Sequence, residues 1–321
     1  QAKLLENAKG SYVRDAYLRG LSLSKKGITN PYKFGLTAAS DTHVAGGSYS
    51  EETFFSKVGL LDGTPELRGS VPFNWALAKA AKIFRPDAFA EINGKDYLAF
   101  SDRLIGFSAS GLTGVWAKEN TREEIYDAFR RKETFATSGP RIKIRFFSGY
   151  EFEDSDLKDL NLLETAYSNN LSMGSTINIE EGKEPRFFVW AISDPLGAPL
   201  QRVQIIKGWL EDGLHKEKVF DVACSDGLNV DPLTNRCPDN EARVNLTDCA
   251  ISNDKGDSEI KVFWKDPDFL ADQEAFYYSR VLENPVCRWS TWDAIRAGES
   301  PRSDISATIQ ERAWSSPIWF N

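Results

Sequence analysis

The sequence predicts an α/β region followed by an all-β region. In the first 140 residues helix-like and strand-like segments alternate, whereas short β-like runs separated by Gly, Pro, Asn and Asp clusters follow, as in an antiparallel sandwich. The charge balance changes sign at the same place: residues 1–140 hold 19 Lys and Arg against 16 Asp and Glu, and residues 141–321 hold 20 against 31. We therefore predict two domains, 1–140 and 141–321, with a boundary at 140–148 and no flexible linker.

The composition is that of a soluble globular protein. Hydrophobic residues make up 41% of the 321 residues and charged residues 27%, both ordinary values. No apolar run approaches the roughly 18 residues that cross a bilayer, so we predict no membrane span. The acidic balance of the second region argues against nucleic acid as a partner.

Capping residues delimit the helices of the first region. Residues 11–26 are predicted to be helical, because Ser11 is a favourable N-cap and Gly27 a favourable C-cap. A second helix is predicted over residues 73–84 from its apolar periodicity. A third begins at Thr121, where Thr-Arg-Glu-Glu fits a capping box.

The second region is predicted to be built mainly from strands. Its β-like runs are bounded by turn-forming residues and lie at 142–147, 186–192, 203–210, 217–222, 260–264 and 275–282. Only residues 290–297 look helical there.

All four cysteines lie in the last hundred residues, at Cys224, Cys237, Cys249 and Cys287. An even number in one loop-rich region predicts disulfides, and hence a periplasmic or secreted protein. The intervals of 12, 11 and 37 residues do not match a CxxC zinc site. Three disulfide pairings stay open, and reduced, buried thiols are the alternative.

The segment at residues 33–43 carries the strongest candidate for chemistry. Residues 33–39 are predicted to form a buried strand that leads into Asp41 and His43. Positions i and i+2 of a strand share a face, so this carboxylate and imidazole could form half of a metal site, with Ser40 and Thr42 orienting them. The alternative is an Asp that caps the next segment and a solvated His.

Several weaker candidates lie elsewhere. Residues 44–72 form a predicted long loop that we expect to cover the site. Trp116 is either a stacking surface or a core residue. The turn from Ser138 to Arg141 either binds an anion through N–H groups and a guanidinium or simply crosses between domains. His215 is expected to be an exposed surface residue.

Three stretches of sequence carry a family resemblance. NPYKFGLTAASDTH, SGLTGVWAKENTREEIYDAFRRKETFATSGPRIKIRFF, and QEAFYYSRVLENPVCRWSTWDAIRAGE with TIQERAWSSPIWF resemble a bacterial family catalogued as domain of unknown function 3604. That family looks like a relative of the polymerase and histidinol phosphatase (PHP) superfamily of metal-dependent phosphoesterases. The similarity extends over nearly the whole chain.

The resemblance implies a fold and an activity. PHP proteins form a distorted βα barrel with up to three divalent ions, Zn, Mn or Fe, at the strand ends. Their late Asp-x-His motif falls on Asp41 and His43. The implied reaction is hydrolysis of a phosphate or similar anionic ester by metal-activated water, on a small anionic or ester substrate. The fold class then becomes α/β plus all-β, the C-terminal part of a PHP-type barrel followed by a β-sandwich-like domain.

One departure from the superfamily limits this implication. Its early motifs, including His-x-His, are absent, and two ligands cannot close a catalytic metal site. We expect this chain to be the C-terminal part of a longer protein, with a missing N-terminal segment or a companion chain completing the barrel. Residues 1–140 should then expose an apolar face. The alternatives are a non-catalytic β-rich binding or structural module with an incomplete barrel, and a sulfate-ester or polysaccharide hydrolase.

Overall fold

The computed structural model describes residues 10–98, 106–169, 171–180 and 182–321. The fold is mixed α/β with more strand than helix. The helices are α1 Val13–Ser24, α2 Trp75–Lys82, α3 Arg122–Arg131, α4 Leu162–Asn169 and α5 Trp289–Arg296. The strands are β1 Phe89–Ile92, β2 Lys95–Leu98, β3 Leu112–Val115, β4 Thr134–Thr137, β5 Lys143–Gly149, β6 Leu171–Ser172, β7 Thr176–Ile177, β8 Arg186–Ile192, β9 Leu200–Glu211, β10 Leu214–Cys224, β11 Glu259–Lys265, β12 Ala275–Glu283, β13 Val286–Cys287, β14 Thr308–Ile309, β15 Arg312–Ser315 and β16 Ile318–Phe320.

The main sheet has eight strands and crosses the predicted domain boundary. Its order is β10-β9-β12-β15-β4-β3, with β16 paired to β12 and β7 paired to β16. Strands β3 and β4 come from the first 140 residues and extend a sheet whose other members all follow residue 141. The boundary predicted at residue 140 thus falls inside one continuous sheet.

The described strands form no barrel, so the predicted PHP barrel is not confirmed. A βα barrel needs consecutive parallel strands joined by helices. Here β3 and β4 pair antiparallel although α3 connects them, and β16 with β7 is a parallel pair in an otherwise antiparallel main sheet.

A second sheet packs against the main one. Its strand order is β11-β8-β5-β6. The core between the sheets takes alternate side chains from both, among them Phe146 and Phe187 from the second sheet and Ile205 and Tyr277 from the main sheet. Because α1 and α4 pack on the two outer faces, both sheets are partly buried on each side.

Most helix predictions are confirmed to within two or three residues. Helix α1 uses Tyr12 rather than Ser11 as its N-cap, and Gly27 follows its end with a φ of 73°. The Thr121 hydroxyl accepts a hydrogen bond from the Glu124 N–H at 3.3 Å, as the capping box predicted. No helix within the described ranges is long and apolar enough to cross a bilayer.

The strand predicted at residues 33–39 is wrong. This segment pairs with no strand, and side-chain hydroxyls bind its backbone instead. Leu36 N donates to Ser316 Oγ at 2.8 Å, and Ala38 N donates to Thr113 Oγ1 at 3.0 Å. Hydroxyl groups thus take the place of a neighbouring strand's carbonyl groups, a substitution that sequence periodicity does not reveal.

Apolar side chains on α2 and just after it are exposed. Trp75, Leu77, Ile83 and Phe84 are each at least 61% exposed. Within α2 only Ala78 is buried.

Two disulfides are formed, which confirms the prediction and settles the pairing. Cys224 pairs with Cys237 and Cys249 with Cys287, each with a Cα–Cα distance of 5.6 Å. Together they anchor the long connection between β10 and β11, residues 225–258, at two places. Disulfides persist in oxidising compartments, so this finding is compatible with an extracellular or secreted protein.

Candidate functional site

Two cavities meet at Glu311. One, which we call the acidic cavity, has a volume of about 430 Å³, and its carboxyl-bearing residues are Glu51, Glu52, Asp194, Glu283 and Glu311. The other, which we call the arginine cavity, has a volume of about 890 Å³, and its arginines are Arg202, Arg243, Arg288 and Arg312. Glu311 lies in the wall of both. Cavities of this size accommodate small organic ligands.

The register of β12 against β15 brings Glu283 and Glu311 together. Leu282 lies opposite Arg312, and the Glu283 N–H donates to the Glu311 carbonyl at 3.0 Å. The two glutamates are therefore cross-strand neighbours, an arrangement in which two like charges destabilise a sheet. A Cβ on Gly197 would lie 2.9 Å from Glu283 Oε1, so only glycine allows this close approach.

Both glutamates are protonated at neutral pH. Glu283 is 1% exposed and Glu311 is 5% exposed. Burial, followed by the charge of Glu311, raises the pKa of Glu283 to about 9. Burial, followed by the charge of Glu51, raises the pKa of Glu311 to about 8. Within the described part of the chain, Oε1 of each has no hydrogen-bond partner.

Glu51 differs from this pair because backbone groups bind its carboxylate. Its Oε1 accepts from Ala109 N, and its Oε2 accepts from Trp289 N at 2.7 Å. Burial raises the pKa of Glu51, but the two N–H donors and the charge of Arg288 oppose that rise. We call Glu51, Glu283 and Glu311 the carboxyl cluster.

Ser138, predicted to face an anion, contacts Glu311 instead. Its hydroxyl donates to Glu311 Oε2, and its oxygen accepts from Arg312 N at 2.9 Å. The neighbouring candidate, Arg141, is exposed, lines the acidic cavity, and donates its backbone N–H to Asp194 Oδ2 at 2.7 Å. The turn thus places Ser138 against Glu311 and Arg141 in the wall of the acidic cavity.

Two arginines of the arginine cavity are fixed by carboxylates. Arg202 donates to Asp221 at 3.1 Å, and Arg243 donates to Asp239 at 3.2 Å. Arg312 differs, since its Nε and Nη2 both donate to the carbonyl of Gln310.

Asp41 and His43, the predicted metal ligands, lie outside both cavities. Both are exposed, and His43 Nδ1 lies 3.0 Å from the carbonyl oxygen of Asp41. The φ of 52° at Asp41 ends any strand-like alternation there. In the described ranges no three His, Cys, Asp or Glu side chains are grouped so that they could hold a metal ion. The ligand roles therefore stay predictions.

A lysine beside Asp41 and His43 interacts electrostatically with Asp41 and with Glu51 of the acidic cavity. Ser40 Oγ accepts from Thr42 N at 3.2 Å, so the two predicted orienting residues contact each other. Lys57 Nζ donates to the Ser40 carbonyl at 2.9 Å. Burial lowers the pKa of Lys57, and the charges of Asp41 and Glu51 oppose this. The charge of Lys57 thus interacts with Asp41 of the predicted metal-ligand pair and with Glu51 of the carboxyl cluster.

The remaining two candidates are engaged in other contacts. The guanidinium carbon of Arg145 lies 3.5 Å from the centre of the Trp116 ring, so one face of that ring is covered. Trp116 Nε1 also donates to the Ile144 carbonyl at 2.8 Å. His215 is exposed, with Nε2 2.8 Å from Ser22 Oγ.

Sequence reasoning missed the three glutamates of the cluster and Arg312. A weak signal was present, since Glu283 directly follows the strand predicted at 275–282. Nothing in the sequence indicates that these two positions face each other across a sheet.

The family resemblance is confirmed. The chain matches, over residues 1–321, the family model described as "Protein of unknown function (DUF3604)". It therefore belongs to that family. No significant match was found among the curated proteins or among the solved structures.

Proposed function

We propose that this chain is a hydrolase of phosphate or similar anionic esters, with Glu283 and Glu311 as its proton-donating group. One observation carries the proposal: two carboxyl groups that are protonated at neutral pH lie side by side in the wall of a cavity of about 430 Å³. Strongly raised carboxyl pKa values in a cleft are typical of general acids.

Glu311 is the better placed of the two to donate. In the proposed hydrolysis water attacks the ester, the bond to the leaving oxygen breaks, and Glu311, which reaches both cavities, protonates that oxygen. The proton released by the attacking water then returns to Glu311. Once it has lost the proton, its carboxylate is stabilised by the hydroxyl of Ser138 and by the charge of Arg312. Glu283 beside it stays neutral and so does not repel the new charge.

The export of the protein is a further part of the proposal, whereas the predicted metal dependence is not carried into it. Asp41 and His43 offer donors that suit Zn, Mn or Fe, but a catalytic zinc ion normally takes three protein ligands. The described residues supply no third ligand beside this pair, so the two residues alone do not fit a catalytic metal, and no step of the reaction is assigned to one. Two disulfides support a periplasmic or secreted location.

The test is a turnover assay on the oxidised protein between pH 5 and pH 9 with alkyl phosphates, alkyl phosphodiesters and alkyl sulfates, whose leaving oxygens need a proton. We expect Glu311→Gln to lower kcat by about 100-fold or more, the usual contribution of a general acid. Activity of the native chain should fall above about pH 8, as Glu311 loses its proton. Glu123→Gln, at an exposed position of α3, serves as the matched control. Full activity of Glu311→Gln would refute the proposal.

A further inference from the structure

We infer that the arginine cavity binds an anionic group of the ligand, a phosphate, sulfate or carboxylate. This inference deepens the proposed function and rests on it, because it adds where and by what chemistry a substrate is held.

The register of the main sheet places the cationic side chains on one face. Arg202 on β9 lies opposite Leu282 on β12, and Leu282 lies opposite Arg312 on β15. Residues directly opposite one another in a sheet project to the same face, so the side chains of Arg202 and Arg312 flank that of Leu282. Two positions along, the same face carries Arg280, which lies opposite Trp314.

Helix α1 covers only part of this face of the main sheet, and the part that carries Arg202 and Arg312 is open. Helix α1 packs on Ile206, Phe276 and Trp319. Arg202, Arg312 and Trp314 line the arginine cavity instead. The connection 225–258 contributes Arg243 to the same cavity, and the disulfide Cys224–Cys237 anchors that connection to the end of β10.

The charges on this face are not balanced. Arg202 and Arg243 have carboxylate partners in Asp221 and Asp239. Arg280 and Arg312, by contrast, have no carboxylate oxygen within 4.0 Å among the residues that the structure describes. Arg280 Nε donates to Gln204 Oε1 at 2.7 Å, and Nε and Nη2 of Arg312 donate to the Gln310 carbonyl.

The charge of Arg312 also acts on Arg280. Burial lowers the pKa of Arg280, the nearby charge of Arg312 lowers it further, and the charge of Glu217 opposes the fall. The neighbouring Glu311 carries no charge at neutral pH and so does not neutralise Arg312. A partly buried excess of positive charge on a preformed surface is what an anion neutralises, and a guanidinium matches phosphate, sulfate and carboxylate by paired hydrogen bonds.

Isothermal titration calorimetry at low ionic strength tests this, with inorganic phosphate, sulfate and citrate as separate probes. We expect the native chain to bind at least one of them, and the affinities to rank the three chemistries. Arg312→Gln should weaken that binding about tenfold or more, because Arg312 lines the cavity and the variant removes a charge-assisted contact. Arg280→Gln, which removes only a neighbouring charge, should weaken the binding less. Arg130→Gln, at an exposed position of α3, should leave it unchanged.

Thermal unfolding of the native chain keeps the test valid if an arginine variant does not fold. A bound anion raises the midpoint in proportion to the logarithm of its concentration above Kd. Absence of both heat and a midpoint shift for all three probes would overturn the inference, as would equal binding by Arg312→Gln and the native chain. Turnover measured on the same preparations separates this inference from the proposed function. Turnover without anion binding therefore counts against this inference alone, and anion binding without turnover of any ester counts against the proposed function.

Discussion

The pKa of Glu283 predicts a distinct pH dependence of stability. Glu283 has a folded pKa of about 9 against an ordinary value of 4.5. Since the folded value is the higher one, its contribution to stability is fully present below pH 4.5 and is lost as the pH rises towards 9. The native chain should accordingly become less stable from mildly acidic to alkaline pH.

The magnitude follows from proton linkage. Between the two pKa values the folded chain holds one proton at Glu283 that the unfolded chain has released, which changes the free energy of unfolding by about 1.4 kcal/mol per pH unit. From pH 6 to pH 8 this amounts to roughly 3 kcal/mol. Glutamine resembles the protonated acid and does not titrate, so Glu283→Gln removes the whole term.

Urea unfolding of the native chain and of Glu283→Gln at pH 6, 7 and 8 measures the term. The difference in unfolding free energy between variant and native chain should shift by roughly 3 kcal/mol in favour of the variant over this range. Taking the difference cancels the other titrating groups. Glu123→Gln should run parallel to the native chain. A Glu283→Gln curve that is also parallel would show that Glu283 is ionised in the folded state.

Two further predictions concern the scaffold around the site. Arg68 donates to both carboxylate oxygens of the buried Asp293, at 2.6 and 2.7 Å. Asp293→Ala therefore leaves the buried charge of Arg68 unpaired and should lower the free energy of unfolding, measured with urea, by about 3–5 kcal/mol. Asp87→Ala, at an exposed ion pair, should change little, and similar losses in the two variants would contradict the argument. The Cys249–Cys287 disulfide joins residues 38 apart, and replacing both by Ser should cost about 4 kcal/mol through the entropy of the unfolded chain, measured in the same way. An unchanged midpoint would mean that the connection 225–258 is held without it.

Local signals in the sequence predicted local structure well. The run at 186–192 became β8 with the same bounds, and the capping box at Thr121 starts α3. The cysteine pattern predicted disulfides, though not which cysteines pair. The strand predicted at residues 33–39 does not form, because the side-chain hydroxyl groups of Ser316 and Thr113, rather than a neighbouring strand, bind its backbone. The domain boundary predicted at 140–148 reflects a change in composition, whereas the main sheet forms by pairing between strands that are far apart in the chain.

The carboxyl cluster could not be predicted either, because it also depends on pairing between strands that are far apart in the chain. Its residues are brought together by long-range contacts. The segment from Glu283 to Trp289 supplies one acid of the pair, the Cys287 end of a disulfide in the cavity wall, and the N–H that binds Glu51. The other acid, Glu311, arrives only through the pairing of β12 with β15. Each contact joins residues at least 28 positions apart, so the raised pKa values exist only in the folded chain. Loosening the Cys249–Cys287 anchor should therefore affect the acidic cavity before it affects the core between the sheets.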